Sequence, residues 1–421
     1  MFLNLHFNID IIMHSFLFYL IIVFIVFEFC FNRLLEVLNN KGWERELPEG
    51  LKNLYDKEKY TKAKSYDQEK DKIGLISSLL STCLIILFLL MGGFAILDEY
   101  LRHFIQNEIL LSLLYFGILG LASTLISLPF SLYNTFVIEE KYGFNKTTPK
   151  IFVFDMIKSL LLSVIIGGLI LSIIIFIQEK TGEWFWLLAW ATISGFSLFF
   201  AAFYTSILLP FFNKLTPLEA GSLRTKIEAY ATKVNFPLKN ILLMDGSKRS
   251  SKANAFFSGI GGSKSIVLFD TLVNELSEEE IVAVLAHEVG HYKKKHIFQS
   301  MAVSFLTTAI TLYIFGRMMN SDILPAILGT AKSFHISLIV FGMLYSPISL
   351  LTSPMMNFLS RKNEYEADAY AKETYGSTAL SSSLKKMSIN HLSNLQPHPW
   401  YLFFHYSHPT LLQRLKAMNE L

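Results

Sequence analysis

Charge is scarce in this sequence. Asp, Glu, Lys and Arg make up 17% of its 421 residues, against roughly a quarter in soluble domains, and the shortfall argues against an ordinary water-soluble enzyme. The formal net charge of +3 is too small to call for a nucleic acid or another acidic partner. Cysteine is nearly absent. Cys30 and Cys83 are the only two, which excludes a disulfide framework and a thiolate metal site; both lie inside apolar blocks and are expected as small core residues. Repeats and low-complexity linkers are also missing, so nothing suggests a solenoid or tethered independent modules.

Long apolar runs are what the sequence has. Hydrophobic residues reach 52%, and they gather in blocks near the ~20 residues that cross a hydrocarbon layer of about 30 Å. Seven such blocks stand at 16–31, 73–96, 109–128, 157–177, 184–212, 297–315 and 336–359. The expected fold is therefore mainly α, a polytopic membrane protein with seven transmembrane helices. The first block is expected to be retained, because no positive region precedes it and no small-residue cleavage site follows it.

Orientation follows from Lys and Arg in the flanks. Ten of them fall within 32–72, and 139–150, 213–296 and the stretch from Arg361 onward are basic as well. The opposite side carries only Arg102, Lys180, Arg317 and Lys332. Positive charge marks the inner side, which puts the N-terminus outside and the C-terminus inside. Trp184, Trp186 and Trp190, at the outer start of the fifth block, fit either an interfacial anchor or lipid-facing filler. The sequon at Asn145 falls on the inner side, where it carries no weight.

The chain divides into spans 1–5 over 1–212, including the inner loop 32–72, then a catalytic loop region at 213–296, spans 6–7 at 297–359 and a C-terminal region at 360–421. The two water-soluble pieces are each too small to stand alone, so any chemistry they perform is expected to be built jointly.

The chemistry lies between the fifth and sixth blocks. Ser277 with Glu280 three residues on forms a capping box, and Glu278, Glu279 and Glu280 suit the positive end of a helix dipole. A helix should run from about Glu278 through His291. His287 and His291 then share one face, one turn apart, as zinc requires of its first two nitrogen ligands, with Glu288 beside the metal as a base for its water. With 11 histidines in the chain, a chance His-Glu-x-x-His has a probability of roughly one in seventy.

Such a site needs a third protein ligand and an open fourth position. After the last block, the stretch 360–371 has helical composition, with Glu364 and Asp368 on one face and Glu366 turned away. Glu364 is the expected ligand, Asp368 a carboxylate supporting a ligand histidine, and Glu366 a solvated surface residue.

These residues resemble the seven-span zinc metallopeptidases of the CAAX prenyl protease 1 type, and the similarity covers most of the chain in separated blocks. They include 133–145, a loop without evident catalytic chemistry, and 246–251 followed by Asn254 and Ala255, similar to the strand region lining the family's substrate cleft. His287 to His291 matches the zinc helix, 364–368 the third-ligand helix, and Ser407, His408, Pro409, Leu412, Arg414 and Leu415 the C-terminal block. The resemblance implies one Zn2+ per chain on His287, His291 and Glu364, with Glu288 as general base. It further implies that Asn254 and His408 meet the peptide backbone or the developing oxyanion, with Ala255 in the substrate-binding strand. Unaided, Asn254 reads as a turn residue and His408 as a histidine before a helix start. The implied fold is a ring of seven helices around an internal chamber, closed on its inner side by a zincin-like catalytic region.

The expected reaction is peptide hydrolysis by a water that zinc acidifies from a pKa of about 15.7 towards 7, Glu288 carrying the proton to the leaving amine. The expected partners are a peptide or protein substrate, prenylated or similar, and membrane lipid, with no nucleic acid; oligomeric state is not legible. Richness in Phe, Ile, Lys and Asn and the lack of a di-lysine tail favour a bacterial inner membrane over an endoplasmic reticulum. Two alternatives stand beside CAAX-type processing: a quality-control endopeptidase without C-terminal specificity, and a seven-span transporter or receptor with a regulatory metal. Cleavage of a prenylated peptide beside an unstructured protein separates the first, and metal content with chelator-sensitive proteolysis the second.

Overall fold

The computed structural model describes residues 2–43, 47, 49–52, 54, 56–259 and 264–421, with side chains from residue 13 onward at the N-terminal end. Arg45, counted above among the basic residues of 32–72, lies outside the described residues. Among the described residues, six helical stretches are long and apolar enough to cross a membrane: Met13–Gly42, Lys57–Leu90, Glu108–Tyr142, Pro149–Phe212, His296–Met319 and Phe334–Thr374.

The fourth of these has 64 residues, about 96 Å of helix at 1.5 Å per residue and three times the hydrocarbon thickness. Gly182, at φ 51°, breaks it at the short turn Gly182–Trp184, and the flanking helices Gly168–Thr181 and Phe185–Phe203 pack against each other. The fourth and fifth apolar blocks of the sequence therefore share the longest stretch rather than forming separate ones.

Between the fifth and sixth blocks the chain builds a small four-stranded sheet. Strands β1 (Leu215–Pro217), β2 (Leu238–Met244), β3 (Ala255–Ser258) and β4 (Lys264–Phe269) lie in the order β1-β2-β4-β3. β2 and β4 are parallel, and the other two pairs are antiparallel. One edge of β3 is paired to β4 and, among the described residues, the other is open, with unpaired main-chain groups ready for an extended chain.

The helix Glu278–Lys293, hereafter the motif helix, follows. Ser277 and Glu280 close the anticipated capping box, and Ile281, Val282, Ala283, Leu285, Ala286 and Val289 bury most of its circumference, as befits a core helix. It packs against the 41-residue helix Phe334–Thr374, the long helix, which runs unbroken from the last apolar block into the segment bearing Glu364.

One apolar core joins pieces remote in sequence: Trp43 and Tyr66 from the first inner loop, Ile138, Tyr142 and Phe144, the sheet and motif helix, and Leu392, Leu411 and Leu415 from the C-terminal region. The block 133–145 braces this core. Tyr66 Oη donates to Glu139 at 2.6 Å, Lys252 Nζ reaches the other Glu139 oxygen at 3.3 Å, and Asn145 bridges to Ser250. At the opposite end of the long helix, His335 is fully buried between Asp98 (2.7 Å) and the Ser112 hydroxyl (3.0 Å), while Arg102 pairs with Asp98 and Glu108. His335 stands 29 positions before Glu364, about 44 Å along the helix.

Two expectations from the apolar blocks are corrected. Cys30 and Cys83 are free and exposed rather than core residues; on a membrane helix the outward face is itself apolar, so an apolar neighbourhood in sequence does not imply burial in protein. Of the three tryptophans only Trp184 points outward, 65% exposed. Trp186 packs edge-to-face on Tyr313 and Trp190 donates to the Phe305 carbonyl at 2.9 Å, so both fasten helices together.

Candidate metal centre

His287 and His291 leave the motif helix on the face turned to the long helix, and Glu364 meets them from that helix. His287 Nε2 and His291 Nε2 are 3.2 Å apart, His287 Nε2 lies 3.4 Å from Glu364 Oε2, and His291 Nε2 lies 3.3 Å from Glu364 Oε1. Zinc–ligand bonds of 2.0–2.2 Å in tetrahedral geometry put neighbouring ligand atoms about 3.4 Å apart. Each separation is close to that of neighbouring zinc ligands, the two imidazoles facing different oxygens of the one Glu364 carboxylate. Glu364 Oε2 is buried with no hydrogen-bond partner among the described residues, an expensive arrangement for a carboxylate unless a cation joins it. The residues present fit the ion.

A glycine sets this approach. A Cβ on Gly290 would lie 2.9 Å from Ala367 Cα and 3.0 Å from the Ala367 carbonyl oxygen, so the motif and long helices cross almost backbone to backbone between the two imidazoles and Glu364.

Support comes from both sides. His287 Nδ1 is 2.8 Å from Asp368 Oδ1, the role expected of Asp368. Arg414 clamps that carboxylate with Nε at 2.8 Å and Nη2 at 2.6 Å, and its Nη1 stands 3.7 Å from Glu364. Burial works to lower the His287 pKa, but the hydrogen bonds to Asp368 and Glu364 prevail and raise it to about 9 without a metal. A metal must then displace a proton from the same imidazole.

His291 has its own support, and here the expectation for Glu366 is corrected. His291 Nδ1 lies 3.0 Å from His296 Nδ1, and His296 Nε2 lies 3.1 Å from Glu366 Oε2. If His291 Nε2 faces the metal, its Nδ1 carries the hydrogen and donates to His296, whose own hydrogen on Nε2 goes to Glu366. Glu366 is therefore the end of a hydrogen-bonded chain that starts at His291, not a solvated bystander. The chain turns back because Lys295 adopts a left-handed φ of 59° between the motif helix and the next, a conformation costly for lysine and unmarked by any glycine. Replacing His296 with leucine is expected to lower zinc affinity about 10–100-fold, measured by competition with a chromogenic chelator; unchanged affinity would remove this relay from the site.

Glu288 stands beside the histidines, lining a cavity of about 470 Å³ with His291, Glu364 and His408. Burial pushes its pKa up, with the charges of His287 and His291 opposing, and its carboxylate has no ion pair or hydrogen bond among those described. It is free to accept a proton. His408 is brought in as the resemblance implied, with Nε2 3.4 Å from Glu364 Oε1 and Nδ1 3.0 Å from the Ser407 hydroxyl. Arg361 holds the preceding segment by donating to the Leu402 and Tyr406 carbonyls.

Asn254 is exposed, its Oδ1 accepting from the Ala255 amide at 2.9 Å, and it does not line that cavity. Ala255 opens β3, opposite Leu268, while Phe256 and Phe257 line the cavity. His391, not singled out from sequence, seats this strand by accepting from the Ala253 amide at 3.0 Å. Burial first, then the charge of Lys252, pushes its pKa down to about 4, so it remains a neutral acceptor at physiological pH.

With that geometry in view, comparison with known proteins is informative. A family model for the CAAX prenyl protease N-terminal region, five membrane helices, matches residues 38–214, and the model for peptidase family M48 matches 217–421. The chain is 35% identical over 410 residues to a CAAX prenyl protease 1 homolog of Oryza sativa subsp. japonica, covering 95% of this chain and 96% of that one. It is 36% identical to CAAX prenyl protease 1 of Saccharomyces cerevisiae and 32% identical to the Homo sapiens homolog, each over 89% of both chains. The crystal structure of S. mikatae Ste24p superposes with a TM-score of 0.90 at 35% identity, over 96% of this chain and 98% of that one.

Proposed function

From the premise that the chain belongs to the CAAX prenyl protease 1 family of M48 metallopeptidases, we propose that His287, His291 and Glu364 hold one zinc ion and that Glu288 is the general base of a membrane-embedded endopeptidase acting on CAAX-type C-termini. The observation that carries the assignment of residues is the convergence of His287 Nε2, His291 Nε2 and the Glu364 carboxylate at separations of 3.2 to 3.4 Å. When bound, zinc supplies a Lewis acid that acidifies water and polarises a carbonyl.

The rest is the work of the chain. The open edge of β3 accepts an extended substrate by main-chain pairing, holding a peptide bond against the cavity that Glu288 and His408 line. Glu288 takes the proton of the attacking water and returns it to the departing amine. His408 donates a hydrogen bond to the oxygen of the tetrahedral intermediate, a contact worth about 3–4 kcal/mol where a single donor of this kind is removed. Asn254, at the head of β3, contributes through that strand.

Seven crossings, with the N-terminus outside and the metal centre on the cytoplasmic side, follow from dividing 149–212 at Gly182 and from the basic inner flanks. Four of the six candidate spans among the described residues bury almost none of their apolar windows within the protein, while Phe334–Thr374 is about one-third buried, which supports helices ringing an internal chamber. Composition supports a bacterial inner membrane as host; the relatives named above are eukaryotic, but sharing about a third of positions leaves room for a different host. Zinc-loaded protein in detergent is expected to release a C-terminal fragment from a farnesylated CAAX peptide and to leave an unstructured protein uncut; the converse selectivity, read by mass spectrometry, would instead support the quality-control reading.

A further inference from the structure

Lys264 is the cation of the catalytic cleft, and nothing in the chemistry above uses it. We propose that its ammonium binds the free C-terminal carboxylate of the substrate, so that the protein reads chain ends; the inference rests on the peptidase reading for where the scissile bond lies.

Lys264 heads β4 and is only 4% exposed. It lines the cavity that also holds Glu288, His291, Glu364 and His408, and among the described residues no other Lys or Arg lines it. Its ammonium donates to the Gly259 carbonyl and stands 5.1 Å from the centre of the Tyr292 ring. No carboxylate lies within 4 Å of it among the described residues. Two other sheltered cations in this region meet carboxylates, Lys252 with Glu139 at 3.3 Å and Arg414 with Asp368 at 2.6 Å. A buried ammonium without a counter-ion is costly, and burial alone pushes the Lys264 pKa down with no nearby acid to restore it. Such an ammonium in a cleft is suited to an anion that arrives with the substrate.

The register places it at one end of the sheet: Ser265 is opposite Ser258, the last residue of β3, so Lys264 begins β4, the strand behind the accepting one, where β3 stops. A cavity of about 470 Å³ is roughly 10 Å across if round, and three extended residues span roughly 10 Å. A carboxylate held at Lys264 therefore shares with Glu288 and His291 one cavity about three extended residues across. That is the length of tail following the cysteine of a CAAX motif. The anchor needs only a free C-terminus, so it serves unprenylated tails as well.

The test measures binding on Glu288→Gln protein, which keeps the metal ligands, using a fluorescent peptide of farnesyl-cysteine followed by three aliphatic residues, as free acid and as C-terminal amide. The acid is expected to bind about 10–100-fold more tightly than the amide. Adding Lys264→Met is expected to bring that ratio to about one, while Lys264→Arg keeps most of it. Equal binding of acid and amide before any change at Lys264, no binding of the acid, or an undiminished ratio with Lys264→Met would each overturn the proposal. Because these readouts need no hydrolysis, failure of the peptidase reading appears separately, as absence of cleavage by the zinc-loaded parent.

Discussion

Glu288→Gln is expected to retain zinc at the parent stoichiometry and to lose about 10²–10⁴-fold in kcat against a farnesylated CAAX peptide. The substitution keeps the volume and polarity of the side chain while removing its capacity to take a proton. Zinc retention follows because the metal's proposed ligands are His287, His291 and Glu364, whose mutual distances do not involve Glu288. The loss follows because Glu288 is the unengaged carboxylate of the cavity, its pKa raised by burial toward the working range of a base. Metal analysis of the same purified sample used for kinetics is essential: activity equal to the parent at full zinc occupancy would refute the assigned base, whereas a zinc-depleted sample would make Glu288 part of the metal's support.

Gly290→Ala should damage the same activity from a distance and by a different route. One methyl group would have to occupy space 2.9 Å from a backbone carbon and 3.0 Å from a backbone oxygen of residue 367, atoms that cannot rotate aside as a side-chain end could. The helices must separate, at a cost of about 1–3 kcal/mol. They carry opposite sides of the ligand set, so the separation opens the His287–Glu364 and His291–Glu364 distances. A misplacement of about 1 Å costs on the order of 10²-fold in rate, and zinc affinity should fall together with kcat/KM. Gly74→Ala is the control, since a Cβ there meets nothing within 4 Å. Unaltered zinc affinity in Gly290→Ala would show that the crossing tolerates expansion.

Part of this centre was readable in the letters. The motif helix was legible because its signals are local: a cap at Ser277, a reciprocal acid at Glu280 and two histidines four apart. Glu364 and Asp368 were legible as an i,i+4 pair on one face, and their meeting with the histidines was an inference about folding rather than spacing. Arg414, His296 and Glu366 escaped, since each acts across elements and the approach of His296 depends on a left-handed lysine that no propensity rule anticipates. Glu366 was misjudged because turning away from the metal on one helix still leaves it facing a histidine of another. The cysteines were misplaced for a different reason: in a bilayer, oil lies outside the protein as well as inside it. The small sheet, with its open edge and Lys264 at its corner, left little trace because its strands are short and set among loops.

Two imidazoles precede the sixth apolar block and the carboxylate follows the last. Any excised piece that keeps the whole coordination sphere must keep both intervening helices with it. The peptidase is consequently not portable: neither limited proteolysis nor gene trimming can release a working soluble fragment, as can be done where an enzyme merely hangs from an anchor. On the proposed ligand set, the helices that cross the bilayer are themselves part of what assembles the site.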